Sequence, residues 1–213
     1  MKILFKYTSR SRPELFVRGM DSIINNCISE NYQILVSVDE DDESMFGMEE
    51  KYKNNSKVLF CKGVNKDKIS AINRDVEVIA DWDILVNMSD DMVFTQNGFD
   101  ANIRGEFDNL DQCLHFPDGN TTALITMSIL GRKFYDRFGY IYHPDYVSLF
   151  CDNEQTEVAQ ILGCYKFINK NIFSHLHPAW AKAASDDQYR HTESFWGVDE
   201  ATFHRRRANN FDL

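Results

Sequence analysis

Apolar residues in the first ninety positions recur at two spacings, and the switch between them sets the predicted elements. Residues 3–7 form a short apolar run suited to a strand, and residues 8–13 (TSRSRP) break it. Ser11 followed three residues later by Glu14 predicts a capping box, and Pro13 is tolerated where the first-turn N–H groups have no helical partner. Phe16, Val17, Met20, Ile23, Ile24 and Cys27 then repeat at helical spacing and give that helix one apolar face. A second strand is predicted over 34–38, running into Asp39-Glu40-Asp41-Asp42, and a third over 58–61, ending at Gly63. A helix over 67–80, with Ile69, Ile72, Val76 and Ile79 inward, leads to a fourth strand at 84–88 that stops at Ser89-Asp90-Asp91.

This alternation predicts an α/β fold with a mostly parallel sheet and helices on both faces. In such sheets ligands sit in the crevice beyond the carboxyl ends of the strands. The polar clusters at 8–12, 39–42, 65–68 and 90–91 all fall at such ends. The second half is less regular. A strand is expected over 121–127, a helix over 132–138 closed by Gly139, and a helix over 153–162 closed by Gly163. Apolar pairs at 167–168 and 172–173 precede His175-Leu176-His177-Pro178, and the tail from 179 is polar and helical in part. No repeat or linker divides the chain. A single domain over 1–213 is expected.

Composition narrows the partners. The net charge is −10 and the pI about 5.0, which opposes adhesion to nucleic acid and to anionic lipid. No apolar run is long enough to span a bilayer, and residues 1–7 are too short and too soon interrupted for a signal peptide, so a cytoplasmic location is expected. Five cysteines at wide spacings, with no C-x-x-C pair, suggest reduced thiols in place of disulfides or a zinc site.

The sharpest chemical signal is Asp90-Asp91. Two adjacent carboxylates at the end of an apolar strand repel unless a cation or hydrogen-bond donors offset them. An acidic turn is one reading. The other is a Mg²⁺ or Mn²⁺ site, since such ions bind through one or two carboxylates plus substrate phosphate oxygens. Asp152, two residues after Phe150 and ahead of a predicted helix, reads as an N-cap.

The order of strand, polar loop, strand ending in Asp39, the Lys68-x-x-Ala71-x-Asn73 helix and a strand ending in Asp90-Asp91 resembles the GT-A glycosyltransferases, especially the inverting family 2. The resemblance spans roughly residues 2–178 and implies a nucleotide-binding half over 1–95 and an acceptor-binding half with a tail over 96–213. It implies that Asp91 is the direct metal ligand and that Asp90 contacts ribose or supports the ligand, with Ser89 standing where the family signature opens with Asp. It places Thr8, Ser9, Arg10 and Arg12 with Asp39 around the nucleotide, Asp39 at the base, and Lys68 at the diphosphate or at Asp39. Asn73 would tie its helix to a neighbouring strand. Asp152 is the implied base, with Glu154 as its alternative, and His177 rather than His175 is the implied further metal ligand, which favours Mn²⁺ over Mg²⁺. The aromatics at 138–142 could form an acceptor platform and Arg205, Arg206 and Arg207 could reach phosphate, although core packing and a solvated helix face explain them equally. The implied activity is transfer of a sugar from a nucleoside-diphosphate donor, with UDP expected, to a hydroxyl acceptor such as a glycan, with inversion. A binding module on the same fold is the alternative. A sugar-nucleotide pyrophosphorylase is disfavoured because residues 8–13 contain no Gly to cradle a triphosphate.

Overall fold

The computed structural model describes residues 1–176 and 186–213. Four parallel strands open the sheet: β1 (Ile3–Thr8), β2 (Tyr32–Asp39), β3 (Val58–Gly63) and β4 (Ile84–Met88). Three short strands, β6 (Cys113–His115), β7 (Ile129–Gly131) and β8 (Tyr165–Phe167), complete a seven-stranded sheet of order β3-β2-β1-β4-β7-β6-β8. β7 runs antiparallel to both β4 and β6, so the sheet is mixed, and its parallel half is the half that the sequence pattern predicts. A separate antiparallel ribbon joins β5 (Met92–Phe94) to β9 (Phe173–His175).

Strand alternation sends successive side chains to opposite faces. One face carries Ile3, Phe5, Tyr7, Ile34, Val36, Val38, Ile84, Val86 and Met88 against α1 (Pro13–Asn26) and α4 (Phe99–Glu106), and it stays apolar to the strand ends. The other face begins apolar, with Leu4, Leu35 and Leu85 packed on α3 (Lys68–Asn73), α5 (Arg132–Asp136) and α6 (Cys151–Ile161). Toward the carboxyl ends this second face turns polar: Lys6 and Thr8 follow Leu4, Ser37 and Asp39 follow Leu35, and Asn87 follows Leu85. Register sets Lys6 beside Asn87, and Thr8 beside Ser37. Burial lowers the pKa of Lys6 to about 7 against the pull of Asp75. Its ammonium donates to Ser37 Oγ, which donates to Asp75 Oδ2 at 2.7 Å.

Four predicted elements are revised. α1 is capped by Arg12 without a side-chain bond, because Ser11 adopts φ 59° and gives its N–H to Asp42 Oδ2 at 2.7 Å, so the Ser11–Glu14 capping box does not form. The helix predicted over 67–80 begins as expected, with Asp67 and Ser70 capping each other, but stops at Asn73. Asp75 turns left-handed at φ 69°, which carries its carboxylate to Ser37, and Arg74 turns back to the Val38 and Cys61 carbonyls. Residues 121–127 form no strand; pairing with β4 starts at Ile129 instead. α6 starts at Cys151 behind Phe150 at φ 60°, so Asp152 lies in its first turn and is not the N-cap.

The tail folds back onto this half as α7 (Asp187–Glu193) and α8 (Trp196–Ala208). Asp199, fully buried on α8, accepts the N–H groups of Val147, Ser148 and Leu149 at 2.7–2.9 Å. Arg206 grips Glu154 through two bonds of 2.7 and 2.9 Å. Among the described residues no helix is long and apolar enough to cross a membrane, and the five cysteines are unpaired. Asp199→Ala would strand three buried N–H groups, each costing about 1–3 kcal/mol. The expected loss is roughly 3 kcal/mol in urea denaturation; a change below about 1 kcal/mol would show that the 147–149 turn stands without α8.

Candidate active site

The end of β4 and the loop after β1 meet over Asp90. Its buried carboxylate accepts from Ser9 Oγ at 2.9 Å and from Arg12 Nη1 at 3.0 Å. Burial raises its pKa and the Asp91 charge adds to this, against the opposing pull of Arg12 and Ser9. Arg12 continues to Asp186, bonded at 2.7 and 2.6 Å, and Asp186 caps α7 by accepting from Tyr189 N–H at 2.7 Å. Arg12 is therefore no solvated helix-start residue. It ties the first loop, β4 and the tail together, and Asp90 acts as a structural support there.

Asp91 faces a different partner. β5 follows it directly, and the pairing of Met92 with His175 brings the imidazole alongside. His175 Nε2 lies 3.2 Å from Asp91 Oδ2, and Nδ1 lies 3.3 Å from Asp118 Oδ2. Asp118 is itself fixed: its Oδ1 accepts from Asn120 and Thr121 N–H at 2.7 and 2.8 Å, and its carbonyl accepts from His175 N–H at 3.1 Å. Burial opposes charge on all three groups. The His175 bond and charge, with help from Ser89 and Lys68, nonetheless hold Asp91 below the usual carboxylate range. The bonds to both carboxylates raise His175 to about 9, and Asp118 is held to about 2.

The metal expectation can be tested on these atoms. Asp91 Oδ1 is buried and has no hydrogen-bond partner among the described residues, and a carboxylate fixing the far nitrogen of an imidazole is the usual support of a His ligand. Both nitrogens of His175 are engaged by carboxylates, so the unpartnered donor of the right chemistry for Mn²⁺ or Mg²⁺ is Asp91 Oδ1, with the His175 ring beside it. Among the described residues no group of three or more His, Cys, Asp or Glu side chains is arranged to hold a metal. His177, the imidazole favoured by the sequence pattern, lies outside the described residues.

The other predicted residues distribute as follows. Asp39 ends β2, where Arg10 and Asn65 both donate to its carboxylate and Arg10 also pairs with Asp41. Asp41 is exposed, whereas Asp42 is buried and accepts the N–H groups of Ser11 and Ser44. Lys68 starts α3, and its charge acts on both Asp91 and Asp152. Burial raises the pKa of Asp152, partly offset by Lys68 and by local backbone donors. Thr8, Ser9, Arg10, Arg12, Asp39, Lys68, Asp90, Asp91, Asp152 and His175 all line one cleft of about 660 Å³ at the carboxyl ends of the parallel strands, and α7 supplies a wall.

Some expectations fail here. Glu154 is no candidate base: Arg206 and Tyr146 hold its buried carboxylate, and it faces a separate small cavity. Of the arginine run, Arg206 is buried on Glu154 while Arg205 and Arg207 pair with Asp145 and Glu157, which leaves none for phosphate. Asn73 ties its helix to the 141–142 loop, through Tyr142 O at 2.6 Å, and not to a strand. Asp118 had no signal of its own, since Asp118-Gly119-Asn120 reads as an ordinary turn. Seven buried side-chain polar atoms lack a partner among the described residues, and five of them (on Asn65, Asn87, Asp91, Thr126 and Ser148) belong to residues lining this cleft. Native proteins rarely leave such atoms unpaired unless a ligand or water meets them.

No protein-family model and no curated protein sequence matches the chain. Solved structures do resemble it. The mannosyltransferase PcManGT from Pyrobaculum calidifontis, in complex with GDP-Man and Mn²⁺, aligns with TM-score 0.63 and 11% identity over 79% of this chain and 54% of that one. TarS of S. aureus aligns over 100% of this chain and 45% of its own with TM-score 0.65 and 12% identity, and TarS 1–349 in complex with UDP over 81% and 59% with TM-score 0.65 and 11% identity. The chain spans about half the length of these proteins. At such identities the likeness establishes the fold, a Rossmann-like GT-A architecture.

A double-mutant cycle tests the link through Asp90. Arg12→Met leaves a buried carboxylate uncompensated and should cost about 3 kcal/mol by denaturant unfolding. Adding Asp90→Asn should return at least about 1 kcal/mol of that loss; two strictly additive losses would show that Arg12 acts through Asp186 alone.

Proposed function

We propose that the protein is a glycosyltransferase that moves a sugar from a nucleoside diphosphate, with UDP as the nucleotide, to an acceptor hydroxyl with inversion. The observation that carries this reading is the sharing of one cleft by two carboxylates tuned in opposite directions. Asp91 is held ionised beside His175, and Asp152 is pushed toward the protonated form by burial. Such a split is what separates a ligand-binding carboxylate from a proton-accepting one.

In this reading Asp39, Arg10 and Asn65 hold the base end of the donor, with the unpartnered Asn65 Oδ1 free to accept an N–H from it. Lys68 neutralises diphosphate charge between Asp91 and Asp152. Asp91, with His175 beside it, would hold Mn²⁺ or Mg²⁺, which when bound supplies Lewis-acid stabilisation of the departing diphosphate. Asp118 keeps the His175 ring in place. Asp152 accepts the acceptor hydroxyl proton as the acceptor oxygen bonds to the anomeric carbon; the bond from that carbon to phosphate oxygen breaks, and its electron pair leaves with the nucleoside diphosphate. A carboxylate of raised pKa is better matched to that transfer.

Calorimetric titration with UDP, with and without Mn²⁺, tests the binding half. The ion should tighten UDP binding in the wild type, and Asp91→Ala should abolish that tightening; binding that ignores both the ion and the substitution would contradict the assigned role. Asp152→Asn should keep donor affinity within about twofold while turnover falls by about 10²–10⁴. Normal turnover in that variant would remove Asp152 from the chemistry, and donor binding without turnover by the wild type against a broad acceptor panel would favour a binding module.

A further inference from the structure

Among the described residues three α-helices are entered through a residue of positive φ. Gly47 precedes α2 (Met48–Tyr52) at φ 85° and ψ −7°, and Gly98 precedes α4 at φ 76° and ψ 19°. Phe150 precedes α6 at φ 60° and ψ −7°. Glycine has no Cβ to resist this conformation, whereas for a bulky side chain it is an outlier. Ser11 and Asp75, left-handed at φ 59° and 69°, gain polar contacts in return: Asp42 takes the Ser11 N–H, and the Asp75 carboxylate accepts from Ser37. A phenyl ring gains no such bond. A chain that needed only the turn would carry Gly here, as it does at 47 and 98, so the ring itself has a task.

Helix α8 supplies the constraint. The Phe150 ring meets Trp196 edge-on with centroids 4.9 Å apart, and it lies tilted on Phe203 at 5.9 Å. On one side of Phe150, Asp199 accepts the N–H groups of Val147, Ser148 and Leu149; on the other, Arg206 grips Glu154. One helix thus holds residues 147–154 at both ends and in the middle, and the strained residue is the middle. Burial alone is a weak reason for the ring, since Trp196 is 50% exposed and Phe150 only half-buried. Backbone strain persists where the surroundings over-determine it, and it gathers at functional sites.

Two residues further on lies Asp152, which lines the cleft. Among the described residues its carboxylate accepts only from N–H groups of its own turn, that of Asn153 at 3.0 Å among them. Its aim is therefore a property of the backbone at the start of α6, and Phe150 sets that backbone. We infer that Phe150, held in the left-handed region by Trp196 and Phe203, is a positioning residue that aims Asp152 into the cleft. The inference rests on the reading of Asp152 as the proton acceptor. A carboxylate misplaced by about 1 Å loses rate through lost alignment with the attacking hydroxyl. Donor binding at Asp39, Lys68 and Asp91 does not depend on that alignment, so the effect falls on kcat.

The strain is tested without any substrate. Phe150→Gly should unfold at a higher urea concentration than Phe150→Ala, because Ala keeps the Cβ that this backbone disfavours; the reverse order would show that φ 60° carries no strain and would overturn the inference. The positioning is tested by hydrolysis of UDP-glucose, UDP-N-acetylglucosamine and UDP-galactose with Mn²⁺, followed as released UDP, with water in place of the acceptor hydroxyl and Asp152 taking its proton. For the donor that wild type hydrolyses fastest, Phe150→Gly should lower kcat by about ten- to a hundredfold and leave UDP affinity within about twofold. Phe150→Leu, which keeps apolar bulk against Trp196 and Phe203, should recover most of the loss. In an Asp152→Asn background Phe150→Gly should change kcat by less than about twofold, since residues that act as a unit are not additive. Full multiplication of the two losses would make Phe150 a structural residue and overturn the inference, as would wild-type kcat in Phe150→Gly or a UDP affinity that falls in step with kcat. If Phe150→Gly does not fold, Trp196→Ala removes one ring contact, leaves residue 150 unchanged and carries the same cycle. Full kcat in Asp152→Asn alone is a different result: it removes Asp152 from the chemistry, and the positioning role falls with it.

Discussion

The structure turns on two adjacent carboxylates at the end of a buried strand. Asp90 and Asp91 follow β4 without an intervening residue other than Ser89, and burying both charges side by side is costly unless each finds its own compensation. The chain meets this by dividing them. Asp90 turns to Ser9 and Arg12 in the first loop, and through Arg12 to Asp186 at the start of α7. Asp91 turns to His175, which Asp118 holds from behind. Regions far apart in sequence are therefore gathered at one strand end, and the cleft exists because they are.

The rest of the fold gives that gathering its rigidity. Parallel pairing of β1, β2 and β4 puts Thr8, Asp39 and Asp90 at one rim. The short ribbon of β5 and β9 carries His175 to Asp91, and the buried pairs Asp199 with the 147–149 turn and Arg206 with Glu154 fasten α8 to the half that bears Asp152. Arg206 was legible only as part of a basic run. Its role is to neutralise a buried carboxylate, which explains why one of three consecutive arginines is hidden and the other two are exposed.

The parallel half of the fold was legible because three of its four strands are buried on both faces and its helices on one, which leaves strong periodic patterns. Asp39, Lys68, Asp91 and Asp152 were found by their position at element ends, and all line the cleft. The losses have physical causes. The helix over 67–80 broke at Arg74-Asp75 because their charges are used beneath the sheet, a demand invisible to helical periodicity. Asp118 and Ser148 sit in irregular segments whose shape is set by distant partners, His175 and Asp199. The change from Leu to Lys, Ser and Asn along one sheet face was present in the alternation itself; reading each strand as uniformly apolar concealed it.

In the proposed function Asp91, oriented by its neighbours, presents a carboxylate oxygen to a metal in the presence of a nucleoside diphosphate. Crystals grown with Mn²⁺ and UDP, measured for anomalous scattering at the manganese edge, test it directly. One peak is expected, bonded to Asp91 and to the UDP phosphates with the His175 ring beside it. A nucleotide bound in the cleft with no peak at Asp91, or with the ion held by Asp90 instead, would contradict it.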